Sequence, residues 1–241
     1  MVEKLNYKMF EKINKIIRLR KNKLLKNMFG DSGNDEKIPS INRDGPLLNR
    51  LAVKAIAGFD SVLDKKSRLY LRLLARLTDK AFNEYGNARN CLLEEIETKD
   101  RLMWRFEIIN HFENCINAVN RAGKVLDIIK NGISFKKRKV SKSLDIKKLI
   151  NKATLSHVLT SDLSFIRNRV EHIDEDIYTN VFKNGLFLDV NSSYEKICIN
   201  NKCISLLQLT KIIENYHKIV LEIFSNLPNR WENGKYYYDK N

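Results

Sequence analysis

The sequence predicts an all-α protein: a helical bundle with a small β-hairpin inserted before the last helix. Three observations favour this fold class. Apolar residues recur at spacings of three and four over most of the 241 residues, which is the period of an amphipathic helix. The chain has only three prolines, and none lies between residues 47 and 130. Alternating apolar residues beside a turn candidate occur after Gly185, where they predict short strands.

The N-terminal segment predicts a basic amphipathic helix over residues 3–29. Its apolar positions repeat every three or four residues among lysines and arginines: Leu5, Met9, Ile13, Ile16, Ile17, Leu24 and Met28. Such a helix docks on its own protein core or lies on a membrane or a nucleic acid. Glycines and prolines then predict a linker or surface loop over 30–46. We therefore expect two parts, residues 1–46 and a helical domain of residues 47–241.

Two or three long helices are expected between Leu47 and Lys130. One apolar stripe runs through Leu69, Leu73, Leu77 and Ala81, and a second through Phe106, Ile109, Phe112, Ile116, Val119, Gly123 and Leu126. His111 lies beside the second stripe, which favours a hydrogen-bonded structural histidine. The basic run that follows predicts a solvated connection that can also contact phosphates, through Lys136, Lys137, Arg138 and Lys139.

The C-terminal third predicts helix, hairpin and helix in that order. An apolar pattern from Leu155 to Ile177 indicates helix over 163–178, and the capping side chains at Thr160 to Asp162 leave open whether one helix or two form. The predicted β elements are Phe187 to Val190, Lys196 to Ile199 and Cys203 to Leu206, with a turn at Asn200 and Asn201. A last helix over Leu206 to Leu227 should end before Pro228.

Composition limits the class of protein. The net charge of +15 favours an anionic partner, of which nucleic acid is the commonest, although the abundance of Lys, Asn and Ile also fits an A/T-rich genome. No stretch approaches the roughly 18 apolar residues of a membrane span, and no apolar core of a secretion signal begins the chain, so we expect a cytoplasmic protein without a membrane partner. There the four cysteines should be reduced packing residues. Cys198 and Cys203 can face each other across the hairpin, which leaves a disulfide or a metal role open, but histidines at zinc-ligand spacing are missing.

The cluster Arg167, Asn168 and His172 is the feature that indicates chemistry. On a helical wheel, a stripe through Ile166, Val170 and Ile173 faces the core, and Asn168 lies almost opposite it. His172 follows one turn later on the same side, and the long side chain of Arg167 can reach both. An exposed imidazole can transfer protons, and a guanidinium can hold a phosphate.

The string Arg167-Asn-Arg-Val-Glu-His172 resembles the Arg-polar-x-x-x-His signature of the HEPN ribonucleases. The upstream helix from Phe106 to Lys130 fits the partner helix of such a bundle, and the resemblance covers about residues 50–227. It implies a HEPN-like fold and a metal-independent, cofactor-free endoribonuclease of the toxin or anti-phage defence type. It also implies a homodimer whose two motifs meet at the active cleft, and a regulatory partner such as an antitoxin.

Specific roles follow from this resemblance. His172 would act as general acid or base at the ribose 2′-hydroxyl and the leaving oxygen, Arg167 would stabilise charge on the phosphate, and Asn168 would orient both. The products would carry 2′,3′-cyclic phosphates, and DNA would resist cleavage. Arg169 and the basic run at 136–139 are weaker candidates for substrate contact. Family members silenced by nucleotidyl transfer often carry a tyrosine two residues after the histidine; Asp174 stands there, with Tyr178 a weaker substitute.

Other interpretations of the same residues remain open. Arg167 and Glu171 are four residues apart and can form an ordinary surface ion pair, which would leave His172 a mere exposed histidine. A HEPN-like domain without activity could bind RNA, a nucleotide or a partner protein, and the acidic residues Glu171, Asp174 and Glu175 favour this alternative. A membrane-surface protein that uses the N-terminal helix is the third alternative.

Overall fold

The computed structural model describes residues 37–56, 65–132, 157–172, 188–199 and 202–226, so the predicted N-terminal helix at 3–29 lies outside the described residues. The described part is mainly helical, with a small antiparallel sheet directly before the last helix, which confirms that part of the prediction. Its elements are α1 (Leu47–Ile56), α2 (Lys65–Thr98), α3 (Arg101–Gly132), α4 (His157–Glu171), β1 (Asp189–Val190), β2 (Lys196–Ile199), β3 (Lys202–Ser205) and α5 (Leu206–Asn226).

The hairpin of α2 and α3 forms the centre of the domain. Its connection is only Lys99 and Asp100, and Lys99 adopts a left-handed φ of 53° while its N–H donates to the carbonyl of Glu95 (2.9 Å). The Thr98 hydroxyl then accepts hydrogen bonds from Asp100 N–H (3.3 Å) and from the Trp104 indole (3.2 Å). These contacts end one helix and begin the next within two residues, so the two helices run antiparallel side by side.

The core of this hairpin differs from the predicted stripes at two positions. Leu69 is 56% exposed and Phe106 is 78% exposed, whereas the other members of the two stripes are buried or half-buried. The physical reason is drift. A step of four advances about 40° beyond a full turn and a step of three falls about 60° short, so Leu69 lies about 80° from Leu77 and Phe106 about 120° from Phe112. The core of α2 is instead a broad face that includes Leu71, Leu74, Ala75, Phe82 and Tyr85.

The last ten residues of the predicted linker pack on the helices. Ile38 is only 1% exposed, and its carbonyl accepts a hydrogen bond from Arg89 Nε (3.0 Å). The hydroxyl of buried Tyr85 donates to the carbonyl of Pro39 (2.8 Å). The described residues from Lys37 onward accordingly belong to one compact unit, with this irregular segment as its first part.

The sheet has three strands in the order β1-β2-β3, all antiparallel. Strand β1 lies within the strand predicted at Phe187 to Val190 and forms a two-residue edge beside the hairpin of β2 and β3. Its inner face buries Val190, Ile197, Ile199 and Ile204. The segment between β1 and β2 is fixed to the helical hairpin, because the Tyr194 hydroxyl donates to Oε1 of buried Glu95 (3.2 Å). Burial and the charge of Glu95 both raise the pKa of Tyr194, which keeps this hydroxyl protonated as a donor.

The cysteines divide into two kinds. Cys91 and Cys115 form no disulfide and are buried, as expected of packing residues, and burial raises the pKa of the Cys115 thiol. Cys198 and Cys203 are directly opposite each other in β2 and β3 and form a disulfide, so the expectation that all four are reduced is wrong for this pair. The antiparallel register places the two residues across the ladder from each other, and their sulfurs are bonded to each other rather than available to a metal.

Removing this disulfide is expected to lower the free energy of unfolding by about 2 kcal/mol. A cross-link that closes a loop of about six residues restricts the unfolded chain by roughly that amount in the loop-entropy model. Urea unfolding of the Cys198→Ser/Cys203→Ser protein, compared with the parent with and without a reductant, measures the effect. Equal midpoints for all three samples would contradict it.

No helix in the described ranges has both the length and the apolar composition that crossing a bilayer requires.

Candidate active site

Helix α4 presents the predicted motif. Its residues Leu163 and Ile166 are buried, and Val170 is half-buried, so the core-facing side of the helix is as the wheel predicts up to that point. Ile173, the next member of the predicted stripe, lies outside the described residues. The first half of the helix is also tied to the sheet, since Lys202 Nζ of β3 lies 3.9 Å from Asp162 Oδ1. The motif therefore occupies the C-terminal end of a helix whose other end is fixed.

Asn168 and His172 project from the exposed side of this end. Both side chains are exposed. The two residues are four apart in sequence and therefore lie on neighbouring turns. The N–H of His172 donates to the carbonyl of Asn168 (3.0 Å), a helical bond that continues one residue past the last helical position, Glu171. This bond holds the backbone of His172, and with it the attachment point of the imidazole, in helical geometry.

Arg167 contacts two side chains on its flank of the helix. Its NH1 donates to Asn168 Oδ1 (3.1 Å), and its NH2 forms an ion pair with Glu171 Oε2. The Arg167 side chain is 21% exposed and that of Glu171 is 37% exposed, so the pair lies at the protein surface. The guanidinium therefore contacts Asn168 with one terminal nitrogen and a carboxylate with the other.

Arg169 lies on the opposite flank. Its guanidinium carbon is 5.3 Å from the centre of the Phe165 ring, one turn earlier on the helix, which is a cation–π contact. On the wheel the two arginines are about 200° apart across the exposed side of the helix, and Asn168 and His172 lie between them. The exposed face therefore holds one amide, one imidazole and the carboxylate of Glu171, with a guanidinium on each flank.

The structure brings together Arg167, Asn168 and Glu171 and places His172 on the same exposed side. The other sequence candidates, Lys136, Lys137, Arg138 and Lys139, lie outside the described residues, as do Asp174 and Tyr178. The contact of Arg169 with Phe165 was not anticipated, although their spacing of four residues was a signal for it.

His111 forms the hydrogen bond predicted for it. Its Nδ1 is 2.7 Å from Glu84 Oε2, across the α2–α3 hairpin, and both side chains are largely shielded from solvent. This pair links α2 to α3 well away from the short connection between them.

Comparison with models of protein families, with curated proteins and with solved structures gives no match to this chain.

Proposed function

We propose that the protein is a metal-independent endoribonuclease whose working residues are Arg167, Asn168 and His172. The observation that carries the proposal is their arrangement at the end of α4, where Asn168 and His172 are exposed and Arg167 donates to Asn168. Hydrolases that need no metal must supply proton transfer and charge stabilisation from side chains, and an imidazole beside a guanidinium supplies both.

The proposed reaction is an internal transesterification. The ribose 2′-oxygen attacks the adjacent phosphorus as its proton passes to a base, and the bond from phosphorus to the 5′-oxygen breaks as that oxygen takes a proton. His172 performs one of these two transfers, and Arg167 neutralises charge on the phosphate oxygens. A second group must perform the other transfer, and in a homodimer with facing motifs the partner copy of His172 provides it. The products are a 2′,3′-cyclic phosphate and a 5′-hydroxyl.

This chemistry is tested by incubating the purified protein with a labelled single-stranded RNA in excess EDTA. The control substrate has the same sequence with 2′-deoxyribose throughout. The expected result is cleavage of the RNA alone, with 2′,3′-cyclic phosphate ends. Cleavage of both substrates, or ends that carry a 5′-phosphate, would overturn the proposed mechanism.

A second candidate function is a module that binds RNA or a partner protein without cleaving. The ion pair between Arg167 and Glu171 favours it, because a guanidinium already paired with a carboxylate must give up that partner before it holds a phosphate. Exposed pairs of this kind contribute only about 0.2–1 kcal/mol, so the exchange is accessible. Intact RNA in the EDTA assay, after any co-purifying protein has been stripped away, would favour this candidate.

Glu171→Gln is expected to raise kcat/KM for RNA about two- to fivefold if Arg167 must leave Glu171 to hold the phosphate. That ratio corresponds to the roughly 0.4–1 kcal/mol of an exposed ion pair. The matched control is Glu195→Gln, which removes the same charge from an exposed position in the segment between β1 and β2. Unchanged or reduced kcat/KM in Glu171→Gln, with the control equal to the parent, would show that the ion pair does not compete with the substrate.

A further inference from the structure

Helix α2 carries a one-sided distribution of charge. Between Lys65 and Asn83 it has six basic residues and a single carboxylate, Asp79. Asp79 is only 6% exposed and is already bound to α1 and to Arg43. Glu84, the next carboxylate, is paired with His111. The solvent-facing surface of this half of the helix is therefore strongly positive.

Of the five exposed basic residues, all but Lys66 form a single line, which we call the basic stripe: Lys65, Arg72, Arg76 and Lys80. These positions advance by seven, four and four residues, so they lie on one face, and all four are exposed. The same exposed face continues with amides: Asn83, Asn87 and Asn90. From Lys65 to Asn90 the line extends about 38 Å along the helix. Arg43, whose charge is paired with Asp79, also reaches this face, since its NH2 donates to Asn83 Oδ1 (3.0 Å).

Helix stability does not account for this arrangement. Like charges one turn apart, as in Arg72, Arg76 and Lys80, repel each other and destabilise a helix. Cations in the first turn also oppose the positive end of the helix dipole, and the first turn of α2 holds Lys65 and Lys66 with no acidic residue. Solvent-exposed helix faces that serve only solubility commonly intersperse both signs of charge. An anion that lies along the helix relieves both the repulsion between neighbouring cations and the unfavourable positive charge in the first turn.

We propose that the basic stripe of α2 binds the phosphate backbone of a single-stranded RNA, with the line of asparagines extending the contact. The proposal rests on the proposed function in taking RNA as the ligand. A row of regularly spaced cations matches a polymer with one negative charge per nucleotide, and asparagine side chains commonly hydrogen-bond to phosphate and sugar oxygens.

Other anionic surfaces fit this face less well. A helix that lies on a membrane inserts an apolar side, but the apolar side of α2, with Leu71 and Leu74, is buried in the core. A protein partner usually provides and requires aromatic or aliphatic anchors, and Leu69 is the one large apolar side chain on the exposed line. Charge and amides with a single large apolar side chain favour a nucleic-acid backbone.

The test measures RNA binding in the His172→Ala background, so that the RNA stays intact. A fluorescent single-stranded RNA is titrated in EDTA over a series of salt concentrations with the variant Arg72→Gln/Arg76→Gln/Lys80→Gln. The matched control removes three exposed lysines elsewhere: Lys196→Gln/Lys211→Gln/Lys218→Gln. The slope of log K against log salt should fall in magnitude by about 2 in the stripe variant, since each phosphate contact on a single strand contributes about 0.7.

At about 0.1 M salt the stripe variant should bind about a hundredfold more weakly than the control. Equal affinities and slopes for the stripe variant and the control, with both folded by circular dichroism, would overturn the proposal. So would loss of binding to vesicles that contain phosphatidylserine without any change in RNA binding. Failure of the ribonuclease function gives a different pattern: the stripe still governs RNA binding, and the parent with His172 intact cleaves nothing.

Discussion

Replacing His172 by alanine is expected to reduce RNA cleavage by about 10²–10⁴-fold, the contribution typical of a positioned general acid or base. The protein should remain folded, because His172 is exposed and follows the last residue of α4. Substitutions at such surface positions change the free energy of unfolding by no more than about 0.5 kcal/mol. The measurement is the single-turnover cleavage rate in EDTA, with urea unfolding of the same preparation.

His111→Gln provides the control histidine. His111 is buried further than His172 and bonded to Glu84, so its loss is expected to affect stability and not cleavage. If His172→Ala cleaves as fast as the parent, the assignment of proton transfer to His172 is wrong. Loss of cleavage in His111→Gln alone, with its fold intact, would transfer that role to the pair of His111 and Glu84.

The helices could be predicted because their signal is local. A long apolar period without proline indicates a helix whatever it packs against, which is why α3 and α5 were anticipated nearly to their ends. The exposed side of α4 is predictable for the same reason, since the positions of Asn168 and His172 relative to Ile166 depend only on helix geometry. The pairing of Arg167 with Glu171 was also foreseeable from a spacing of four residues.

Features that depend on distant residues could not be predicted in this way. The exposure of Leu69 and Phe106 depends on which side of each helix meets its neighbour, and periodicity drifts too far over thirty residues to determine that. The bond between Cys198 and Cys203 requires the exact register of β2 and β3; the hairpin made it conceivable, while the expected cytoplasmic location argued against it. The packing of Ile38 on the helices had no local signal, because the surrounding glycines and prolines indicate only an irregular segment.

The start of α1 is the clearest case of such a distant dependence. The residue before it is Pro46, which has no side-chain acceptor for the free N–H groups of the first turn. Asp79 of α2 supplies the acceptors instead: Oδ1 accepts from Leu47 N–H (3.0 Å) and Oδ2 from Leu48 N–H (3.0 Å). Arg43 NH1 also lies 3.2 Å from Oδ1, so the carboxylate holds the loop and the helix together.

Asp79→Ala is accordingly expected to lower the free energy of unfolding by about 3–5 kcal/mol. The substitution leaves two backbone N–H groups at a buried helix end without acceptors, and it removes the partner of a partly buried arginine. Asp79→Asn keeps one carbonyl oxygen but presents an amide NH₂ to the other N–H, so we expect a smaller loss of about 1–3 kcal/mol. Urea unfolding of the three proteins measures this order.

Asp44→Asn is the matched control. It removes the same charge from an exposed side chain in the loop before α1, and its effect should stay within about 0.5 kcal/mol. Hydrogen exchange gives a local readout that a general loss of stability would not. In Asp79→Ala the amides of Leu47 and Leu48 should lose protection well before those in the middle of α5, since only the former lose their acceptors. An Asp79→Ala protein within about 1 kcal/mol of the parent would mean that water replaces the carboxylate at this helix end.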